Sequence, residues 1–203
     1  MSAAPEVAVI ATGTANIASV CAAFTRLGAR ATPTTDPAVI ADASFVVLPG
    51  VGAFGAAMAA LRAHDLVAPL LARLAADAPL LCVCLGLQLL AAASLESPGI
   101  EGLGAFPLRV SRFSDAQRVP QLGWNGITPA AGSKLLRPET FYFANSYCLR
   151  SAPPGWTAAT ADYGGPFIAA LERGRTLACQ FHPELSGVAG AALLRAWLEG
   201  GAA

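Results

Sequence analysis

Hydrophobic residues in the first half of the chain follow two alternating patterns. Short apolar runs predict buried strands at residues 7–10, 31–35, 45–48 and 80–83. Between them, large apolar side chains recur at helical spacing in residues 17–27, 54–61 and 66–76, with Asn16 a suitable N-cap for the first helix and Gly28 its end. Parallel strands with helices between them build a doubly wound sheet, so we expect an α/β fold with a mostly parallel central sheet.

The second half of the chain has a different pattern of apolar segments. Its strand candidates are short and bounded by glycine and proline, at residues 108–113, 126–128, 140–149, 157–161, 167–171 and 177–181. These segments predict a largely antiparallel extension of the sheet, followed by a last helix that carries Leu194, Trp197 and Leu198. No linker is visible, and we expect residues 1–203 to form a single domain.

Composition narrows the range of functions. Thirteen basic residues balance thirteen acidic ones, and Lys134 is the only lysine. A nucleic-acid or anionic-membrane partner would require a basic stripe that this sequence lacks. The longest nearly unbroken apolar stretch is about 14 residues and is interrupted by Pro79 and Gln88, which suits a buried core better than a membrane span. Five cysteines, an odd number, favour free thiols in a reducing cytoplasm.

A candidate nucleophile lies where the most apolar strand ends. Residues 80–90 predict a strand that turns sharply into a helix at Cys84, a geometry in which helix N–H groups stabilise a thiolate. Gly86 would let this turn pack closely, and the Leu85 N–H would face a developing oxyanion. The alternative is a buried structural cysteine, which is how we interpret Cys82, two residues earlier and expected on the same face of the strand. A Cys-x-Cys pair without a second cluster is a poor metal site, so no metal is expected.

A cysteine nucleophile ordinarily needs a base, and the chain has two histidines. His64 lies near the end of a predicted surface helix and is interpreted as solvated or as a charge partner of the helix end. His182 directly follows the last apolar strand, and Glu184 is spaced to orient its imidazole, which would complete a Cys-His-Glu triad. A capping histidine beside a surface glutamate is the alternative for this pair.

These motifs resemble those of a known family. Cys84-Leu-Gly-Leu-Gln88 and Gln180-Phe-His-Pro-Glu184 are similar to the motifs of class I (triad) glutamine amidotransferases, which hydrolyse glutamine to glutamate and pass the ammonia to a synthase. Within that family, three further segments resemble the glutaminase subunits of imidazole glycerol phosphate synthases, enzymes of histidine biosynthesis. They are Pro49-Gly-Val-Gly-Ala-Phe-Gly55, Leu122-Gly-Trp-Asn125 and Phe141-Tyr-Phe-Ala-Asn-Ser-Tyr147. The similarity spans residues 7–198.

The resemblance implies a catalytic role for each matching residue. Cys84 would attack the glutamine amide, His182 would handle the proton that departing ammonia needs, and Glu184 would hold the histidine. The Leu85 N–H would provide one oxyanion contact, and a peptide of the glycine-rich loop would provide the other after rearranging. The loop residues implied in this oxyanion hole are Val51 and Gly52.

The resemblance also implies what the protein binds. Residues in family positions that hold glutamine are Gly50, Gln88, Ser146 and Tyr147. No cofactor is implied. The implied partner is a (β/α)8-type cyclase subunit, which would form a heterodimer with this chain. Residues in family positions at that interface are Asn16, Gln121, Trp124, Asn145 and Leu185.

Four departures from the family pattern leave other functions open. The family commonly has glycine at Cys82, histidine at Asn145, lysine at Leu185, and a different turn at residues 12–16. Because the usual lysine would pair with a partner carboxylate, its replacement bears on how the subunits couple. One alternative is an amidotransferase paralogue that serves a different synthase. The other is a non-catalytic α/β scaffolding subunit, against which the intact triad argues.

Overall fold

The structure is a computed structural model that describes residues 4–13 and 16–201. Thr14 and Ala15, within the turn that departs from the family pattern, lie outside the described residues. The helices are α1 (Ile17–Arg26), α2 (Pro37–Asp42), α3 (Phe54–Ala63), α4 (Val67–Ala75), α5 (Leu85–Leu89) and α6 (Gly187–Gly201), with a 3₁₀ turn at Pro183–Leu185. The strands are β1 (Glu6–Ile10), β2 (Arg30–Thr34), β3 (Phe45–Leu48), β4 (Leu80–Val83), β5 (Ala91–Ser94), β6 (Phe106–Arg112), β7 (Gln121–Gly126), β8 (Thr128–Pro129), β9 (Thr140–Asn145), β10 (Tyr147–Cys148), β11 (Thr157–Asp162), β12 (Pro166–Arg173) and β13 (Thr176–Cys179).

A central sheet organises the part of the chain that the structure describes. Its eight strands have the order β2-β1-β3-β4-β13-β12-β11-β8. The first five are parallel neighbours, and β12, β11 and β8 continue the sheet with antiparallel pairing. The predicted α/β fold, with a mostly parallel sheet and an antiparallel extension, is therefore confirmed.

Helices cover both faces of the parallel strands. Every residue of β3, β4 and β13 is buried, as expected for strands enclosed on both sides. One face packs against α1 and α6, where Phe24 and Trp197 meet, and the other packs against α2, α3 and α4. Among the described helices none is by itself long and apolar enough to cross a membrane; α3 and α4 reach that length only together, and they meet at 95°.

Part of the second half lies outside the central sheet, contrary to the prediction that its strands extend that sheet. β6 pairs with β5 and β10 in a three-stranded sheet, and β7 pairs with β9 in a two-stranded one. The strand predicted over residues 140–149 is two strands, because Ser146 interrupts the pairing. α2 and β5 were not predicted, since α2 buries only Ile40 and β5 has no large side chain.

The carboxyl ends of the parallel strands meet at one edge of the sheet. β1 ends before residues 11–13, β3 before residues 49–52, β4 before Cys84 and β13 before Gln180. This is the edge at which open α/β sheets bind ligands.

Candidate active site

Cys84 occupies a strained elbow between β4 and α5. Its φ of +53° and ψ of −106° fall in a region that costs a non-glycine residue about 1–3 kcal/mol. The Cys84 N–H donates to the Cys179 carbonyl of β13 at 2.6 Å, and α5 begins at the next residue. This turn holds the Cys84 side chain at the carboxyl edge of the sheet, as a nucleophile elbow does.

The elbow packs directly on β3 because residue 86 is glycine. A Cβ atom at Gly86 would lie 2.1 Å from the Leu48 carbonyl oxygen, closer than real Cβ contacts allow. The prediction that Gly86 permits close packing of this turn is confirmed. The helix that follows is short, with five residues.

His182 and Glu184 form a buried pair beside Cys84. The distance from His182 Nδ1 to Glu184 Oε1 is 2.8 Å, and both side chains are less than a tenth exposed. The backbone of His182 is anchored to β9, because its N–H donates to the Tyr142 carbonyl at 2.9 Å. Ser186 completes the anchor by donating from Oγ to the His182 carbonyl and accepting from the Tyr142 N–H.

The surroundings of His182 favour its charged form. Burial lowers its pKa, but hydrogen bonds to Cys84 and Glu184, together with the negative charges of both groups, outweigh that effect and raise the pKa of His182 to about 10. At neutral pH the imidazole is therefore protonated. Cys84, His182 and Glu184 are thus in contact in the order that a triad requires.

Two buried amides join the wall of the site to the sulfur. Gln88 Nε2 donates to the Tyr147 carbonyl at 2.9 Å and to Gln180 Oε1 at 3.0 Å. Gln180 Nε2 in turn lies 3.6 Å from Cys84 Sγ. Gln180 was noted in the sequence only as part of a motif, and its contact with the sulfur was not predicted.

A cavity of about 140 Å³ opens beside Cys84. Its lining residues are Val51, Gly52, Cys84, Leu85, Gln88, Glu96, Ala144, Asn145, Ser146 and Tyr147. A larger cleft of about 640 Å³ lies along β2 and α2, but no cysteine or histidine lines it. We therefore locate the site by its reactive groups rather than by cavity size.

Glu96 is a lining residue that the sequence did not reveal. Its Oε2 accepts a hydrogen bond from the Phe54 N–H at 2.7 Å, which fixes the carboxylate at the start of α3. Because the two residues are 42 positions apart and belong to no common motif, no local signal could have identified this contact.

The glycine-rich loop presents a carbonyl to the elbow. The Leu85 N–H, predicted to contact the oxyanion, donates to the Gly50 carbonyl at 3.3 Å. Gly50 itself is buried against the Leu85 side chain, whereas Val51 is exposed and Gly52 has a φ of +96°. In this arrangement the Leu85 N–H is occupied by the protein's own backbone.

The residues predicted at a partner interface lie in two different environments. Trp124 is 59% exposed, and Leu185 and the N-cap residue Asn16 are also on the surface. Gln121 and Asn145, by contrast, are only 3% and 4% exposed. They are register partners across β7 and β9, and successive side chains of a strand point to opposite faces, so Gln121 is turned inwards where Trp124 is turned outwards.

The predictions for Cys82 and His64 are confirmed except for the face on which Cys82 lies. Cys82 is fully buried, as predicted, and burial raises its pKa well above the ordinary value. It lies on the opposite face of the sheet from Cys84, because the positive φ of Cys84 breaks the alternation of side chains along the strand. His64 is exposed at the C-terminus of α3. Within residues 4–13 and 16–201, no group of three or more His, Cys, Asp or Glu side chains is placed to hold a metal ion.

Comparison with known proteins identifies the family. The model of the glutamine amidotransferase class-I family matches residues 11–199. The chain belongs to this family. Among relatives of this amidotransferase, the imidazole glycerol phosphate synthase subunit HisH of Methanothermobacter thermautotrophicus is 43% identical over 196 residues, which cover 95% of this chain and 98% of the relative. The subunit of the same name from Escherichia coli is 39% identical over 199 residues, with coverages of 96% and 99%.

Solved structures share the amidotransferase fold at low sequence identity. A crystal structure described as a glutamine amidotransferase superposes with a TM-score of 0.78 at 21% identity and covers 97% of this chain and 99% of its own. A structure of PurLQS from Thermotoga maritima gives 0.74 at 13% identity, with coverages of 97% and 99%. At these sequence identities the structural similarity shows only that the fold is shared.

Proposed function

We propose that this chain hydrolyses glutamine to glutamate and ammonia as the amidotransferase subunit of an imidazole glycerol phosphate synthase in histidine biosynthesis, and that residues 1–203 act as one domain. The names of relatives about 40% identical over nearly the whole chain support the pathway. The observation that carries the chemistry is the contact of Cys84, His182 and Glu184 at the carboxyl edge of the sheet.

Each member of the proposed triad has one task. The Cys84 sulfur attacks Cδ of the glutamine side chain, and the amide oxygen becomes an oxyanion. As the C–N bond breaks, His182 gives its proton to the departing nitrogen, ammonia leaves, and the γ-glutamyl group remains on Cys84 as a thioester. Water then attacks the thioester, His182 takes a proton from it, and the sulfur departs, which releases glutamate. Glu184 orients the ring in every step and stabilises it whenever it is charged.

The cavity beside Cys84 has groups suited to an amino-acid substrate. Both amide hydrogens of Gln88 are already donated to the protein, so its Oε1 is the atom left to accept a hydrogen bond from glutamine. The Glu96 carboxylate can receive the substrate's α-ammonium group. The backbone of Ser146 and Tyr147 forms the facing wall.

The proposed oxyanion hole requires a change in the glycine-rich loop. The Gly50 carbonyl now occupies the Leu85 N–H, so turning the Gly50–Val51 peptide would free that N–H and direct the Val51 N–H towards the oxyanion. We propose that a docked (β/α)8-type cyclase subunit favours the turned state. The isolated chain is then expected to hydrolyse glutamine slowly and to be activated when the cyclase is added.

Docking would rest on apolar surface. Trp124 and Leu122 are well exposed on one face of β7, and Leu185 stands where the family commonly has a charged lysine. Activation by the cyclase should therefore change little between low and high ionic strength. Full activity without a partner would refute the loop hypothesis. Strong loss of activation in salt would refute apolar docking, and no activation by the cyclase would favour the second candidate, a paralogue serving a different synthase.

Replacement of single cysteines tests the nucleophile. Cys84→Ala should abolish glutamate release by the chain with its cyclase, whereas Cys82→Ala should retain it, because Cys82 is buried on the other face of the sheet. An electrophilic glutamine analogue should label Cys84 alone. Glutamate release by Cys84→Ala, or a label on Cys82, would contradict the assignment.

A further inference from the structure

The amide of Gln180 lies between the nucleophile and the substrate-binding wall, with no solvent exposure. Its Nε2 is 3.6 Å from Cys84 Sγ, and its Oε1 is 3.0 Å from Gln88 Nε2. An amide buried so completely must satisfy its polar atoms within the protein. Among residues 4–13 and 16–201, the Cys84 sulfur is the hydrogen-bond acceptor found within reach of the Gln180 NH₂ group.

The hydrogen-bond network fixes which end of this amide faces the sulfur. The Tyr147 carbonyl can only accept, so Gln88 must direct its NH₂ group there. The second hydrogen of the same NH₂ group points at Gln180, which must therefore present its oxygen. Turning the Gln180 amide around would set two NH₂ groups against each other. The NH₂ group of Gln180 is thus the end that faces Cys84.

Few groups near Cys84 can stabilise a negative sulfur. The titratable side chains that face it are His182, with Glu184 behind it, and Glu96 and Tyr147 across the cavity. Only His182 among them brings a positive charge. The Ala144 carbonyl, 4.0 Å from Sγ, is an acceptor and can pair only with a protonated thiol. An N–H donor at this position therefore shifts the balance towards the thiolate.

We propose that Gln180 donates a hydrogen bond to the Cys84 sulfur, stabilises the thiolate, and is held in that orientation by Gln88. This inference rests on the proposed function, in which Cys84 is the nucleophile. It assigns to Gln88 a second task, since the residue that lines the substrate cavity also orients the donor to the sulfur.

The test measures alkylation of Cys84 by iodoacetamide as a function of pH, read by mass spectrometry of the peptide that carries it. Gln180→Met keeps the size of the side chain and removes the donor. Because hydrogen bonds to charged groups are among the stronger ones, the pH of half-maximal alkylation should rise by about one unit. Glutamine hydrolysis with the cyclase present should fall about tenfold at neutral pH, because less thiolate is present.

A matched control lies on the strand that leads to Gln180. Thr176 is buried at the start of β13, its hydroxyl is unpaired among the described residues, and it is remote from the sulfur. Thr176→Val also removes a buried polar group, and its alkylation profile should match the wild type. If Gln180→Met does not fold, Gln180→Glu preserves shape and the acceptor for Gln88 while it sets an oxygen against the sulfur. It should shift the profile in the same direction.

The possible outcomes separate the two proposals. If Cys84→Ala still hydrolyses glutamine, the proposed function fails. If Cys84→Ala is inactive but the Gln180 variants alkylate with the wild-type pH profile, the inference about Gln180 is overturned and the proposed function stands. A shift shared by Thr176→Val would also overturn it, because the effect would then follow any loss of a buried polar group.

Discussion

Replacement of Gly86 by alanine measures how tightly the elbow is held against the sheet. The new Cβ would lie 2.1 Å from the Leu48 carbonyl oxygen, and ordinary contact begins at 3.4 Å, so the elbow and β3 must separate by about 1 Å. Alanine improves helix formation by about 0.5–1 kcal/mol, whereas overpacking against backbone costs about 1–3 kcal/mol. Since β3 is enclosed within the sheet and cannot yield, we expect Gly86→Ala to lower the free energy of unfolding by about 2 kcal/mol.

Urea unfolding of Gly86→Ala and of Gly126→Ala gives the comparison. Gly126 has no heavy atom within 4 Å of its potential Cβ and does not have a positive φ, so alanine there should change stability by less than about 1 kcal/mol. With the cyclase present, Gly86→Ala should lose about a hundredfold in glutamine hydrolysis, because a 1 Å misplacement of reacting groups costs roughly that much. Equal stability and activity of the two variants would refute the reasoning.

Two further predictions concern buried charges. The glutaminase activity of the complex should decline only as pH rises towards about 10, because His182 loses the proton that it donates at its raised pKa. Glu184→Gln should move this decline to lower pH. A decline of the wild-type activity near pH 6.5 would contradict this prediction. Glu172 accepts four hydrogen bonds from residues 133–136, so Glu172→Gln should lower the free energy of unfolding in urea by about 2–3 kcal/mol, whereas Glu199→Gln, on the surface, should not.

The parts of the fold that the sequence predicted depend on local patterns. The strands of the first half are unbroken apolar runs, and the first helix is bounded by a residue that caps it, Asn16, and by Gly28, whose φ is +81°. The contact between His182 and Glu184 was predictable because the two residues are two positions apart, and Pro183 between them begins the 3₁₀ turn that contains Glu184.

What the sequence did not reveal depends on contacts between distant segments. Glu96 enters the site through a hydrogen bond to the start of α3, and Gln180 through its contacts with Gln88 and Cys84. The exposure of Trp124 also depends on contacts between distant segments. Tryptophan is usually buried, so the residue type alone does not predict an exposed position, and the pairing of β7 with β9 decides which face Trp124 occupies.

The magnitude of the proposed loop rearrangement is compatible with docking on apolar surface. Loss of one oxyanion donor costs about two to three powers of ten in rate, which corresponds to about 2.7–4 kcal/mol. Burial of roughly 100–150 Å² of apolar surface supplies about 2.5–4 kcal/mol. Val51, in the loop itself, is 44% exposed at the edge where the elbow lies. A partner that covers Val51 only when the Gly50–Val51 peptide is turned could therefore provide the required bias without any ion pair, and Leu185 in place of a lysine is consistent with such docking.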